Sequence, residues 1–183
     1  MSDHSITVNP LVASMIASLA AAIPNRGRWT FTELLVGAAV TLSGHITDAI
    51  VAAGHTRTWI TYFWFVEHAR WSWLALWAAL LGVLKQRFSQ PVWHVILDDT
   101  VVERASTKAP ECQRHFNNSA KPNRPRFIHG QGWVCMAAVL ERAGKVGAVP
   151  LMLRLVRASG NRGKLDLGRL MLRLLGLTSH GVV

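Results

Sequence analysis

The sequence predicts an α/β protein in two parts: a helical region over residues 1–90, and a region of strands followed by one helix over residues 91–183. Long apolar stretches separated by Pro and Gly breaks fill the first part, as expected for helices. Shorter stretches rich in β-branched residues, typical of strands, fill the second. Charge divides similarly, with six Lys and Arg against seven Asp and Glu in residues 1–103, and fourteen against three in residues 104–183. We therefore expect two domains with different surfaces.

Helix boundaries in the first part follow from caps and breakers. The segment Pro24–Gly27 is expected to end the first helix, and Thr30 or Thr32 to cap the second. The longest uncharged apolar run, Trp71 to Leu84, has 14 residues and is too short to span a membrane. It is apolar all round, which predicts a buried helix. The five helices are expected over Leu11–Ile23, Thr30 or Thr32 to Leu42, Ile46–Ala53, Thr58–Arg70 and Trp71–Phe88.

The apolar stretch that opens the second part ends at two carboxylates. Val92 to Leu97 is expected to form a strand covered on both faces in the middle of a sheet. Asp98 and Asp99 are poor strand formers, so the strand should end there. A carboxylate would then lie at the end of a buried strand. Carboxylate oxygens on a rigid element suit Mg²⁺. The alternative is that Asp98, Asp99 and Thr100 only end the strand as turn formers.

The rest of the second part is predicted from Pro, Gly and apolar patterning. Glu103 to Arg126 is expected to be a loop because it lacks apolar periodicity. Pro150 should mark an edge or a bulge in the strand that contains it. Two more strands are expected over Ile128–Leu140 and Val146–Val156, and an amphipathic helix over Leu165–Leu177.

Cysteine content fits a reducing cytoplasm, because two cysteines are too few for a disulfide framework. Cys112, His115, His129 and Cys135 are all proper zinc ligands. Their spacing matches no paired-ligand pattern, so buried thiols are the better interpretation.

The positive charge after residue 103 favours a polyphosphate partner. The alternatives are a generally basic surface or contact with an anionic membrane. DNA is favoured because the cations follow directly on the pair of aspartates, and a carboxylate metal site beside a basic surface suits phosphodiester chemistry. The residues expected to bind DNA are Lys108, Arg114, Lys121, Arg124 and Arg126.

Several strings together resemble the DDE transposases of bacterial insertion sequences. They are HVILDDTVVERASTKAP, NRPRFIHGQGWV, AVPLMLRLV and a helix led by Gly-Asn-Arg-Gly-Lys. The resemblance implies a helical N-terminal domain that can bind DNA ends, and then the first half of an RNase H-like mixed sheet, with three strands plus a helix. In that family three acidic residues hold two divalent metals, Mg²⁺ or Mn²⁺, which drive phosphodiester cleavage and strand transfer.

By this resemblance the first acidic residue falls on Asp99, the expected catalytic and metal-binding residue, with Asp98 as its close rival. The second Asp and the Glu would follow beyond Val183, so the chain is expected to be an N-terminal portion that is inactive alone. Also implied are insertion-sequence ends and target DNA as partners, no membrane, a cytoplasmic, nucleoid-associated location and a homodimer in the complete protein. The alternative function is a non-catalytic DNA-binding regulator or remnant.

Overall fold

The computed structural model describes residues 9–41, 43–106, 108–117, 123, 125–160 and 162–178. The chain divides into two compact units between Arg87 and Phe88. Helices make up the first unit, and a sheet with one helix makes up the second. The predicted α/β class is therefore confirmed. No helix of the described residues is long and apolar enough to cross a membrane.

The first unit contains five helices in the predicted order. They are α1 (Pro10–Ala20), α2 (Asn25–Val40), α3 (Ile46–Ala52), α4 (Trp59–His68) and α5 (Trp73–Arg87).

Helix α2 begins earlier than the sequence predicted, at Asn25 rather than near Thr30. The segment Pro24–Gly27 both ends α1 and opens α2, with Pro24 at the N-cap. Arg28 makes this possible, because its guanidinium donates hydrogen bonds to the carbonyl oxygens of Ala20 and Ile23 near the end of α1.

Close packing also explains two glycines of α2 that look like breakers in the sequence. An added Cβ on Gly27 would lie 2.6 Å from Cε2 of Phe65. One on Gly37 would overlap the carbonyl oxygen of Ala49 and lie 2.6 Å from its carbonyl carbon, so α2 and α3 touch backbone to backbone.

Helix α5 is not buried all round, which corrects the expectation for Trp71–Phe88. Trp77, Leu81 and Leu84 are buried, and α5 packs against α1. Trp73 and Leu74 in its first turn are exposed. In a unit of short helices, only part of the surface of each helix packs against another helix.

A buried carboxylate ties α2 to the segment before α4. The Tyr62 hydroxyl donates to Oε2 of Glu33 at 2.6 Å, and the Thr56 hydroxyl donates to Oε1 at 2.6 Å. Tyr62 is fully buried and Glu33 nearly so. Burial alone would raise the pKa of Glu33, but hydrogen bonds from Thr56, Tyr62 and Trp29 outweigh it and lower that pKa. Burial, and then the bond to Glu33, raises the pKa of Tyr62.

These two shifts predict that stability falls at both pH extremes. The lowered pKa of Glu33 gives stability that is present above about pH 4.3, the ordinary Glu value, and is lost as pH falls through the folded-state pKa. The raised pKa of Tyr62 gives stability that is present below about pH 10 and is lost as pH rises further. Thermal melts of the chain across this range should therefore show a Tm plateau with two falling limbs. Glu33→Gln should flatten the acid limb relative to the native chain, and an unchanged acid limb would contradict the network's role.

The second unit is an antiparallel sheet followed by one helix. Its elements are β1 (His94–Glu103), β2 (Gln113–Phe116), β3 (Phe127–Arg142), β4 (Lys145–Leu155) and α6 (Lys164–Thr178). β3 is central, with β1 on one side and both β2 and β4 on the other. The register shifts between Met136 and Ala137, opposite Pro150 and Met152, so the bulge predicted from Pro150 is confirmed.

Helix α6 covers one face of this sheet. Val134, Met136 and Ala138 of β3 are buried on that face, as are Leu167 and Met171 of α6. The predicted amphipathic helix thus forms, and its apolar side packs against β3.

Two sequence predictions for the second unit are wrong. β1 does not end at Leu97, because its pairing with β3 continues through Asp98 and Asp99 to Glu103. It is also not covered on both faces: Ile96 and Leu97 are exposed, and within the described residues β1 pairs with β3 alone. The pairing of β1 with β3 can continue through both aspartates because an exposed strand does not bury their charges.

The predicted loop over Glu103 to Arg126 is also corrected, because β2 lies within it. β2 has only four residues and no apolar alternation, so its pairing with Phe127–Gly130 defines it.

Candidate functional site

Asp98 and Asp99 lie in the middle of β1, on opposite faces of the sheet. Asp98 is opposite Cys135 in β3, and Asp99 is opposite Val134. Consecutive strand residues alternate between faces, so the two carboxylates cannot serve one site together. Asp99 shares its face with Val134 and therefore with α6.

Asp99 forms an ion pair with Lys164 in the first turn of α6. Both side chains are about half exposed, at 43% for Lys164 and 48% for Asp99. An exposed pair of this kind contributes about 0–1 kcal/mol, so the fold does not depend on it. The pair brings a carboxylate and an ammonium together at a position open to solvent.

On the opposite face, Asp98 lies beside a thiol rather than a cation. Oδ1 of Asp98 accepts a hydrogen bond from the backbone N–H of Asp99 at 2.8 Å. Burial, and then the charge of Asp98, raises the pKa of the Cys135 thiol. A thiol held in its neutral form is a poor metal ligand.

A divalent metal would find one carboxylate, that of Asp99, with an ammonium already beside it. Mg²⁺ prefers several oxygen ligands in octahedral geometry. Over the described ranges, no three His, Cys, Asp or Glu side chains come together as a metal-binding group. The described residues alone therefore do not fit a metal centre at Asp99, and the zinc alternative built on Cys112, His115, His129 and Cys135 does not assemble either.

A basic cavity lies between the end of β4 and the start of α6. It has a volume of about 690 Å³ and is lined by Arg154, Arg157 and Arg162. No acidic residue lines it among those that the structure describes. The sequence did not single out these arginines, because they are spread over the end of β4 and the following turn.

Strand register places Asp99 and Arg154, one of the arginines that line the cavity, on one face of the sheet. Val134 lies opposite Asp99 on one side and opposite Arg154 on the other, so these three residues form one row across the sheet. Two strand spacings separate the Cα atoms of Asp99 and Arg154 by about 10 Å. Successive phosphates of one DNA strand are about 3.4 Å apart along the helix axis. The distance between Asp99 and Arg154 therefore corresponds to a few phosphates of one strand.

A second basic surface lies on the arm formed by β2, Arg126 and the first four residues of β3. Phe116 and Phe127 are opposite each other, 50% and 44% exposed, with ring centroids 5.6 Å apart. The Arg114 guanidinium lies 4.0 Å from the Phe127 ring centroid, and that of Arg126 lies 5.7 Å from the Phe116 centroid. Exposed aromatic rings beside arginines suit stacking with nucleobases, although the same contacts also stabilise a hairpin.

The five cations that were predicted from the sequence to bind DNA do not all lie on this arm. Arg114 and Arg126 do. Lys108 is exposed in the turn between β1 and β2. Lys121 and Arg124 lie outside the described residues.

Comparisons with known proteins gave no match: no family model, no curated protein and no solved structure is similar to this chain.

Proposed function

We propose that this chain is the DNA-binding part of a DDE transposase, with Asp99 as the catalytic carboxylate that it supplies. The observation that carries the proposal is that the start of α6 joins Asp99 to the cavity lined by Arg154, Arg157 and Arg162. Lys164 in the first turn of α6 contacts Asp99, and Arg162 just before α6 lines the cavity. Because α6 covers Val134, a DNA strand would pass the first turn of α6, where Lys164 contacts Asp99, rather than cross the sheet.

Three features of the second unit support the proposal. β1, β3 and β4 form an antiparallel meander followed by a helix on one face, which agrees with the first half of an RNase H-like sheet. The excess of Lys and Arg after residue 103 gives a field that attracts polyphosphate. The β2–β3 arm adds exposed rings and arginines, a combination that binds nucleic acids without requiring a particular sequence.

In this proposal Asp99 is the carboxylate that the described residues would offer toward Mg²⁺ or Mn²⁺. Lys164 pairs with this carboxylate, so a metal would have to displace the ammonium group. Asp98 has no such role, because it lies on the other face of the sheet.

A non-catalytic DNA-binding regulator is the second candidate. The ion pair between Asp99 and Lys164 favours it, because a carboxylate neutralised by an ammonium suits a surface that meets phosphates without cutting them. The two candidates share DNA binding and differ in metal-dependent cleavage, which the regulator lacks.

The test of DNA binding is the double variant Arg157→Gln/Arg162→Gln. Each arginine lost from a phosphate contact weakens binding, so the affinity for a DNA duplex should fall by about tenfold or more at low salt. Fluorescence anisotropy with labelled duplex measures this directly.

The matched control is Arg142→Gln/Lys145→Gln, which removes the same charge at the β3–β4 turn. Its affinity should stay within about threefold of the native chain, since only the general field changes. If both double variants lose affinity equally, the cavity is not the DNA site.

A further inference from the structure

An apolar cavity in the helical unit has features of a small-ligand site. Its volume is about 620 Å³, within the usual range of about 300–1,000 Å³ for ligand pockets. Ile23 and Phe65 line it and are buried. Trp64 and Trp71 also line it, and both remain exposed, so that two indole rings face an opening to solvent.

Arginines surround this apolar lining. Arg26, Arg57 and Arg70 line the cavity, and all three are exposed. They are three of the six Lys and Arg residues that precede Phe88, gathered at one place in a unit of modest charge. Among the described lining residues none is acidic. Such an arrangement attracts an anion and gives it an apolar surface to lie on.

The Trp64 ring is also arranged for stacking. It is 59% exposed, and the His68 ring lies parallel to it, with centroids 5.6 Å apart and an interplanar angle of 16°. His68 also contacts the carboxylate of its neighbour Glu67 at 3.8 Å, and Glu67 is not among the lining residues. One face of the indole is thus held by an imidazole while more than half of its surface stays open.

We propose that this cavity binds a single nucleotide, with the base stacked on Trp64 and the phosphate held by Arg26, Arg57 and Arg70. A flat π-system next to a compact anion is the ligand that indole rings and guanidinium groups recognise together. An aliphatic anion would use the apolar lining and the charges but gain nothing from the stacked rings. The nucleotide is either free or an unpaired nucleotide of a DNA strand, which present the same chemistry.

The inference goes beyond the DNA contacts proposed for the second unit, because every residue that it uses lies in the helical unit. The second-unit control Arg142→Gln/Lys145→Gln should therefore leave mononucleotide binding unchanged. If the nucleotide binds while the second-unit variants show no DNA defect, only the proposed function fails. If the second unit binds DNA and the cavity binds nothing, only this inference fails.

Isothermal titration of the full chain with deoxyadenosine monophosphate tests the site. Binding should be measurable and should weaken by about tenfold or more in Arg26→Gln/Arg57→Gln, and by about tenfold in Trp64→Leu. Arg87→Gln and Ile60→Ala are the matched controls, since both residues are exposed in the same unit and neither lines the cavity. The controls should stay within about twofold, and circular dichroism checks that each variant is folded.

Two further probes separate the sources of the nucleotide, both in the Arg114→Gln/Arg126→Gln background. A duplex with one unpaired terminal nucleotide that binds more tightly than a blunt duplex, with the preference lost in Trp64→Leu, assigns the site to DNA ends. Equal binding of the two duplexes, with tight mononucleotide binding, assigns it to the free nucleotide.

Three results would overturn the inference. One is the absence of binding by the mononucleotide together with no preference for the unpaired end. Another is binding that Arg26→Gln/Arg57→Gln and Trp64→Leu leave unchanged. The third is binding of dodecyl phosphate as tight as that of the nucleotide, which would make the cavity a general site for amphiphilic anions.

Discussion

Under the proposed function, Asp99→Asn is expected to abolish metal-dependent DNA cleavage and strand transfer while leaving DNA binding intact. The experiment needs a form of the protein that carries the full acidic set implied by the resemblance, assayed with Mg²⁺ or Mn²⁺. Loss of an outer-shell partner alone typically costs about 10- to 100-fold in metal affinity or activity, so loss of a ligand should cost more than about 100-fold. Asparagine has nearly the same shape as aspartate but carries no charge.

Asp98→Asn is the matched control for this prediction. It makes the same change one residue away, on the opposite face of β1, where Cys135 rather than Lys164 is the neighbour. Activity should stay within about threefold of native, because a side chain on that face cannot reach a metal held by Asp99. Activity lost in Asp98→Asn and kept in Asp99→Asn would reverse the assignment. Activity kept in both variants would exclude both aspartates as the catalytic carboxylate, whereas DNA binding without any cleavage by the native protein would favour the non-catalytic regulator.

Gly37→Ala is expected to destabilise the helical unit severely. The added methyl group would overlap the Ala49 carbonyl oxygen, and it would lie 2.6 Å from the carbonyl carbon and 2.9 Å from Cα. Backbone atoms cannot swing aside as a flexible side chain can, so α2 and α3 must move apart and disturb the packing of Ile50. Overpacking of this kind costs about 1–3 kcal/mol and occasionally more, and a clash with backbone belongs at the upper end.

Gly82→Ala is expected to stabilise the same helical unit. Gly82 lies in α5, and an added Cβ there meets nothing within 4 Å. Alanine should therefore raise stability by about 0.5–1 kcal/mol through its helix propensity. Urea denaturation of the two variants and the native chain measures both effects. A Gly37→Ala protein as stable as native would contradict the backbone contact between α2 and α3.

Helices and long strands were predictable because their apolar residues recur at a regular spacing. Ile46–Ala53 was expected to be a helix, and α3 covers Ile46–Ala52. Ile128–Leu140 was expected to be a strand, and β3 covers Phe127–Arg142. Burial on the core side dictates such patterns, so they can be read locally.

Features that depend on partners distant in sequence were not predictable. Aspartates are rare in strands, yet β1 runs through Asp98 and Asp99 because pairing with β3 overrides local propensity. Lys164 is 65 residues from Asp99, and no local signal couples them. The Asp-Asp-Thr sequence marked both aspartates as candidates, but only the paired strands show that Asp98 and Asp99 lie on opposite faces of the sheet with different neighbours.

The salt dependence of DNA binding tests the central claim most directly, because that claim is that cations of the second unit meet phosphates. The logarithm of the binding constant should fall linearly with the logarithm of salt concentration, with a slope of about −0.9 for each phosphate contact. Arg157→Gln/Arg162→Gln and Arg114→Gln/Arg126→Gln should each make the slope shallower by about 1.8, whereas Arg142→Gln/Lys145→Gln should leave it unchanged. Binding that is weak at low salt, or a slope indifferent to all three pairs, would contradict the account.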